Sequence, residues 1–200
     1  MGIEVTYRRI TRAEFEILQA DPKKAEEFVC AVLPGFNLDD IIAMGDNPEV
    51  MRERGSDILA ALQTRAEDGS RVDLEKDWHA LHFLLTGDCS MEPVHRPDQP
   101  LHNVVMGGHA AKFEAGYGPA RWLEPEDVSA IAQELAKISV SDLEARFSTD
   151  AFNKGHIYPN PRPGGWDRDG ILGAVQIFPK LVRFFQEAAD TGEIVVVYAT

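Results

Sequence analysis

EIVVVYAT, residues 193–200, decides the fold. Ile194 to Val197 is an unbroken apolar run that follows a turn residue, Gly192, the pattern of a short strand buried on both faces. The other end of the chain supplies a neighbour. IEVTYRR, residues 3–9, alternates Ile3, Val5 and Tyr7 with Glu4, Thr6 and Arg8, the period of a strand with one buried face. Lone strands are unstable in water, so the two segments are expected in one sheet, mixed or antiparallel. Several helices then have to cover that sheet. The fold class read here is α+β, a single domain over residues 1–200.

Immediately before the final strand, Ile171 to Ala189 repeats apolar residues at Leu172, Val175, Phe178, Val182 and Phe185, a long amphipathic helix with Pro179 inside it. Thr11 with Glu14 forms a capping-box pattern ahead of Phe15 and Leu18, and Asp21-Pro22 opens a second helix. Residues 34–57 are punctuated by Pro and Gly, and Ile58, Leu59 and Leu62 belong to a helix ending near Gly69. DLEKDWHALHFLLTG, residues 73–87, reads as a helix from about Asp73 to Thr86 with Gly87 as its left-handed stop. Helical spacing puts Leu74, Trp78, Leu81, His82 and Leu85 on one side, with His79 nearer the edge. LHNVVM is short helix or strand, broken by Gly107 and Gly108, and Tyr117 to Leu123 suits an extended segment. EPEDVSAIAQELAKI is a well-signalled helix, and SDLEARF adds another through a Ser141–Glu144 box. HIYPNPRPGGWDRDG, residues 156–170, is too rich in Pro and Gly for helix, yet its Tyr158 and Trp166 point to an ordered loop laid on the core.

Twenty basic against thirty-three acidic residues give a net charge of -13, which repels phosphate backbones and acidic lipid surfaces and attracts basic partners. Neither nucleic acid nor membrane is therefore expected as a partner. The first fifteen residues lack the apolar core of a secretory signal, and no run approaches the roughly 18 apolar residues of a membrane span. Cys30 and Cys89 are too few and too far apart to read as a disulfide framework, so a cytoplasmic protein is expected.

Catalytic and cofactor signatures fail one after another. His79 and His82 are three apart, whereas the helical zinc motif needs four with a Glu after the first. His95, His102 and His109 recur every seven residues, but Pro97, Pro100 and the double glycine exclude one helix that aligns them, leaving loop histidines. WDRDG lacks the ligands of a calcium loop, so Asp167 and Asp169 read as turn and cap residues. Glycine-rich phosphate cradles and the G-x-S-x-G nucleophile elbow are missing. No metal, no cofactor and no catalytic residue is assigned on this reading, which leans against an enzyme.

YRRITRAEFEILQADPKKAEEFV, DLEKDWHALHFLLTG, VVMGG, the IYP at 157–159 with Trp166, and the final helix and strand together resemble the YfbM-like family of bacterial proteins, a domain of unknown function. The resemblance covers nearly the whole chain and is weakest over residues 34–70. It implies a single α+β domain in the bacterial cytoplasm and brings no activity or catalytic residues.

Two functional expectations follow. The first is a non-enzymatic binding or protein-interaction module, with a basic protein as one partner class suited to the acidity. The alternative is a small-molecule-binding protein or enzyme with an aromatic and histidine cleft lined by Trp78, His82, Tyr158 and Trp166. Either way, the loop at 156–170 is expected to bring Tyr158 or Trp166 against Trp78 or His82, and His82 to have a hydrogen-bond partner.

Overall fold

The computed structural model describes residues 2–29, 69–160 and 164–200. The punctuated stretch 34–57 and the helix expected around Ile58 to Leu62 lie outside the described residues. Among the described residues five strands form one sheet: β1 (Val5–Ile10), β2 (Arg71–Glu75), β3 (His109–Ala115), β4 (Gly118–Leu123) and β5 (Ile194–Ala199), in the order β2-β1-β5-β4-β3. Every pairing is antiparallel. The terminal strands pair directly, from Val5 opposite Ala199 to Ile10 opposite Ile194, as the sequence led us to expect.

Because side chains alternate along a strand, the central β5 feeds two cores. Val195 and Val197 join the larger one, with Tyr7, Leu81, Leu84, Ile131, Phe178 and Phe185. Ile194, Val196 and Tyr198 join the smaller one, with Phe15, Leu18, Ala25 and Phe113. The smaller core is closed by α1 (Arg12–Ala20) and α2 (Pro22–Val29). The N-terminus of α1 carries the foreseen box: Thr11 N donates to Glu14 Oε2 at 2.8 Å, and Glu14 N donates back to Thr11 Oγ1 at 3.2 Å.

The larger core lies under α3 (Trp78–Thr86), α5 (Pro125–Leu135) and α8 (Leu172–Thr191). Shorter helices α4 (Pro100–Asn103), α6 (Val140–Ala145) and α7 (Thr149–Lys154) fill the connections. Gly87 and Gly192 close α3 and α8 in the left-handed conformation, φ 72° and 65°. No helix among the described residues is long and apolar enough to cross a membrane.

Two local expectations need correction. The helix read from Asp73 starts only at Trp78, because RVDLE pairs with β1 as β2 and buries Val72 and Leu74 at strand spacing. Glu75, at φ 48°, turns the chain out of the sheet, and Thr6 Oγ1 donates to Asp73 Oδ1 at 2.6 Å across the strand pair. The box ahead of α6 is formed two residues earlier than Ser141, between Ser139 and Asp142, whose side chains serve the same reciprocal bonds. Strand β3 and helix α7 were not anticipated at all. Asp167 acts as the turn residue expected, its Oδ1 accepting from Gly170 N at 2.8 Å, while Asp169 is the first residue of a short 3-10 turn, Asp169–Ile171, whose N-cap position is Arg168.

The two faces of α8 give a direct check. Phe185 is buried against Tyr7 and Phe184, whereas Leu172 on the same helix is exposed. Phe185→Ala is expected to lower stability in urea unfolding by about 3–5 kcal/mol, and Leu172→Ala by about 0.5 kcal/mol or less. Equal losses would show that this helix faces the sheet differently.

Candidate functional site

Trp78 is the first residue of α3 and its indole is held in a closed circuit. Trp78 Nε1 donates to the Ile3 carbonyl at 3.0 Å, and Ile3 N donates to the Tyr158 hydroxyl at 2.8 Å. The Tyr158 ring stacks on Trp78 at 5.4 Å. His79, expected near the helix edge, is instead buried and stacks on Trp78 at 5.1 Å. Tyr158 N donates to His79 Nδ1 at 2.9 Å, which fixes the tautomer: the other nitrogen, Nε2, carries the proton and faces the Cys89 carbonyl at 3.2 Å. The described start of the loop, residues 156–160, therefore lies over α3 through Tyr158. Trp166 anchors the same loop on α7, packing edge-on to Phe152 and donating from Nε1 to the Ile157 carbonyl at 3.0 Å.

A cavity of about 350 Å³ opens beside Trp78, the one of the four expected ligand residues that lines it. Its walls are apolar: Ile3, Val5, Val105, Met106 and Ala199. Met91 and Tyr117 also line it and are 47% and 56% exposed, so the mouth of the cavity carries two large side chains in contact with water. The charged lining group is Arg121 on β4, which the sequence reading passed over. Its guanidinium donates to the carbonyls of Gly107 and, at 2.9 Å, Val105. Among the described residues no carboxylate pairs with it, and burial works to lower its pKa.

VVMGG, residues 104–108, is built to make those bonds. Tyr7 Oη donates to the Val104 carbonyl at 2.8 Å, so three carbonyls of one short turn are engaged by two side chains from the sheet. Gly107 lies so close to Asn103 that a Cβ there would sit 2.3 Å from the Asn103 Cα, and Gly108 adopts φ 96°. Asn103 is itself clamped to Arg96, accepting from its N–H at 2.8 Å and donating to its carbonyl at 2.7 Å.

His82 departs from expectation. It is fully buried, and among the described residues neither ring nitrogen has a hydrogen-bond partner. Its ring meets that of His102, from α4, edge-on at 5.0 Å. The His102 ring nitrogens also lack a hydrogen bond, although Nε2 lies 3.5 Å from Asp88 Oδ2. Buried polar groups left unsatisfied each cost about 1–3 kcal/mol, which makes this pair anomalous as plain core. Burial, reinforced by His102, holds His82 down to about 3. Burial and the nearby Arg96 lower His102 as well, while the Ser90 N–H, with Arg96, lowers Asp88. At neutral pH the cluster holds two neutral imidazoles and a carboxylate.

The seven-residue histidine spacing thus resolves into two places. His102 belongs to a helix and turns towards His82, while His95 and His109 meet at 4.4 Å near Asp127. His109 is the first residue of β3, so only His95 of the three is a loop histidine.

The family model described as a domain of unknown function (DUF1877) matches residues 1–198, and the chain belongs to that family. Protein YfbM of Escherichia coli (strain K12) is 30% identical over 90 residues, 44% of this chain and 52% of that protein. The aligned stretch thus spans about half the length of that relative. The crystal structure of YfbM from Escherichia coli, titled a protein of unknown function, superposes with a TM-score of 0.61. It covers 98% of this chain and 99% of its own at 16% identity, a likeness of fold alone. The resemblance to the YfbM-like family is borne out.

Protonating His79 would place an N–H on Nδ1 against the Tyr158 N–H, and burial already lowers its pKa. The unfolded chain therefore takes up this proton first. The stability it confers is present above the unfolded value of about 6.5 and is lost as pH falls below it, by up to about 1.4 kcal/mol per pH unit. Urea unfolding between pH 8 and pH 5 is expected to show this slope, and His79→Gln to reduce it. An unchanged slope in that variant would clear His79 of the effect.

Proposed function

We propose that this domain is a non-enzymatic binding module whose ligand is a small apolar carboxylate, held in the cavity between Trp78 and Arg121. The observation that carries the reading is Arg121: a guanidinium at an apolar cavity, bonded to two neutral carbonyls and to no acid among the described residues. A guanidinium has five N–H donors in a planar fork, so donors remain for a carboxylate, which would also supply the missing counter-charge. The cavity volume falls in the range of about 300–1,000 Å³ typical of small-molecule sites. A ligand body seated on Trp78 and Val105 would bring Met91 and Tyr117 out of water. A cytoplasmic setting goes with this reading, since Cys89 is a free, exposed thiol.

The acidity favours a second reading, a basic protein partner. Arg9, Arg12, Arg71, Arg96, Lys137 and Arg183 are already paired with carboxylates of this chain, while the net charge is -13. Association with such a protein that weakens between about 50 and about 200 mM salt would support it, whereas nucleic acid is disfavoured by the same charge.

Straight-chain carboxylates from hexanoate to decanoate, with the matching amides, test the first reading by calorimetry and thermal shift. The acids are expected to bind and the amides to bind at least tenfold more weakly, the equivalent of about 1.5–3 kcal/mol for charge-assisted bonds. Arg121→Gln is expected to remove the preference for acid over amide. Because Arg121 also braces the 104–108 turn, Ala199→Phe serves as a second variant, filling the cavity from β5 at a position that is not a register partner of Arg121. No binding at millimolar acid, or equal binding of acid and amide, would overturn the reading.

A further inference from the structure

We propose that His82, His102 and Asp88 form a binding site for one divalent transition-metal ion of the zinc type, opening onto the cleft beside α4. One ligand atom from each of the three residues lies within 4.8 Å of the other two. His102 Nε2 and Asp88 Oδ2 are 3.5 Å apart. That is close to the ligand-to-ligand edge of about 3.4 Å expected for tetrahedral zinc with bonds of about 2.0–2.1 Å. His82 and His102 are 0% and 2% exposed, and among the described residues their ring nitrogens make no hydrogen bond; the nearest approach is that of His102 Nε2 to Asp88 Oδ2, and the other three buried nitrogens have no polar partner.

The donor set selects the ion. Two imidazoles suit zinc and its first-row neighbours, whereas magnesium and calcium prefer oxygen ligands. The carboxylate is already oriented by its neighbours: Ser90 N donates to Asp88 Oδ1 at 2.8 Å, and Arg96, on the wall of the same cleft, lies 3.2 Å from Oδ2. Such supporting bonds are usual around metal ligands. Asp88 and His102 line a cleft of about 440 Å³ together with Asp98 and Glu134, while His82 closes the site from behind. Arg96 lines the same cleft, but with Asp88 the two further acids outnumber it and favour entry of a cation. Three protein ligands with a solvent-facing side leave one coordination position open to water.

The ligands come from the middle of α3, from just beyond its Gly87 cap, and from α4, so no short linear motif marks the site. This is why helical zinc spacing around His79 and His82 missed it.

The test uses full-length protein prepared without a histidine tag, stripped with chelator and dialysed free of it. Calorimetry with zinc chloride is expected to give one ion per chain, with magnesium chloride giving no heat. Zinc at hundredfold excess over its Kd should raise the melting temperature by about 5 °C or more. Asp88→Asn and His102→Gln are each expected to weaken zinc binding at least tenfold. His109→Ala, which dismantles the separate His95–His109–Asp127 group, should leave binding unchanged. Asp88 is at the cleft surface, so Asp88→Asn keeps the test decisive if the buried His102 variant fails to fold. Absence of zinc binding at 100-micromolar concentration, as a site filled by water alone would give, overturns the proposal. So does binding that survives Asp88→Asn or disappears in His109→Ala.

Discussion

Tyr7, Val197 and Arg121 lie in one row across three strands, and most of what is distinctive in this structure hangs from that row. Val197 on β5 is the register partner of Tyr7 on β1 and of Arg121 on β4, so the three side chains share a face. The two outer members reach past the apolar middle one and take the carbonyls of Val104, Val105 and Gly107. A turn so near the core has to satisfy its backbone groups with something, and here the sheet supplies the donors. Once the turn is fixed, α4 ahead of it and β3 after it have little freedom, which fixes His102 on one side and the cavity wall of Val105 and Met106 on the other.

This arrangement also explains which parts of the fold were legible in the sequence. β5 announced itself because a run of four β-branched residues, buried on both faces, looks like little else, and β1 because Val5 and Tyr7 alternate with polar neighbours. Helices with capping boxes or a glycine stop were found for the same reason, that their ends carry side-chain chemistry as well as periodicity. β2 was misread because Leu74 satisfies two patterns together: it stands two residues from Val72 and four from Trp78. Strand pairing to β1, a contact about 65 residues away in the chain, decides between them, and no local window contains it.

The site was less legible than the fold. Trp78 and Tyr158 were found because large aromatics in a helix and in a Pro/Gly loop have to be buried together, and they are, stacked through a circuit that includes His79 and the backbone of Ile3. Arg121 was missed because an arginine in a strand reads as a solvent-facing residue, and nothing nearby hints that carbonyls from residues 105 and 107 will receive it. His82 was recognised as unusual but paired with the wrong neighbours. Its partners, Asp88 and His102, are respectively across a helix cap and on a separate short helix.

Net charge and local charge point in opposite directions here, and distance settles which matters where. The excess of acids that gives -13 is largely a surface property, and beyond a Debye length of about 8–10 Å at physiological salt it fades. Arg121 acts at contact range and inside low-dielectric surroundings, where a single guanidinium outweighs carboxylates on the far side of a screened surface. An acidic protein can therefore hold an anion at one buried cation. The converse holds at the cleft beside α4, where Asp88, Asp98 and Glu134 share the wall with Arg96, itself paired with Asp88, and the local balance of charge has the sign of the global one. The turn lines the first environment through Val105, Met106 and Gly108, and the short helix just ahead of it lines the second through Pro100, Leu101 and His102, so the carbonyl row that fixes the turn positions a wall of each.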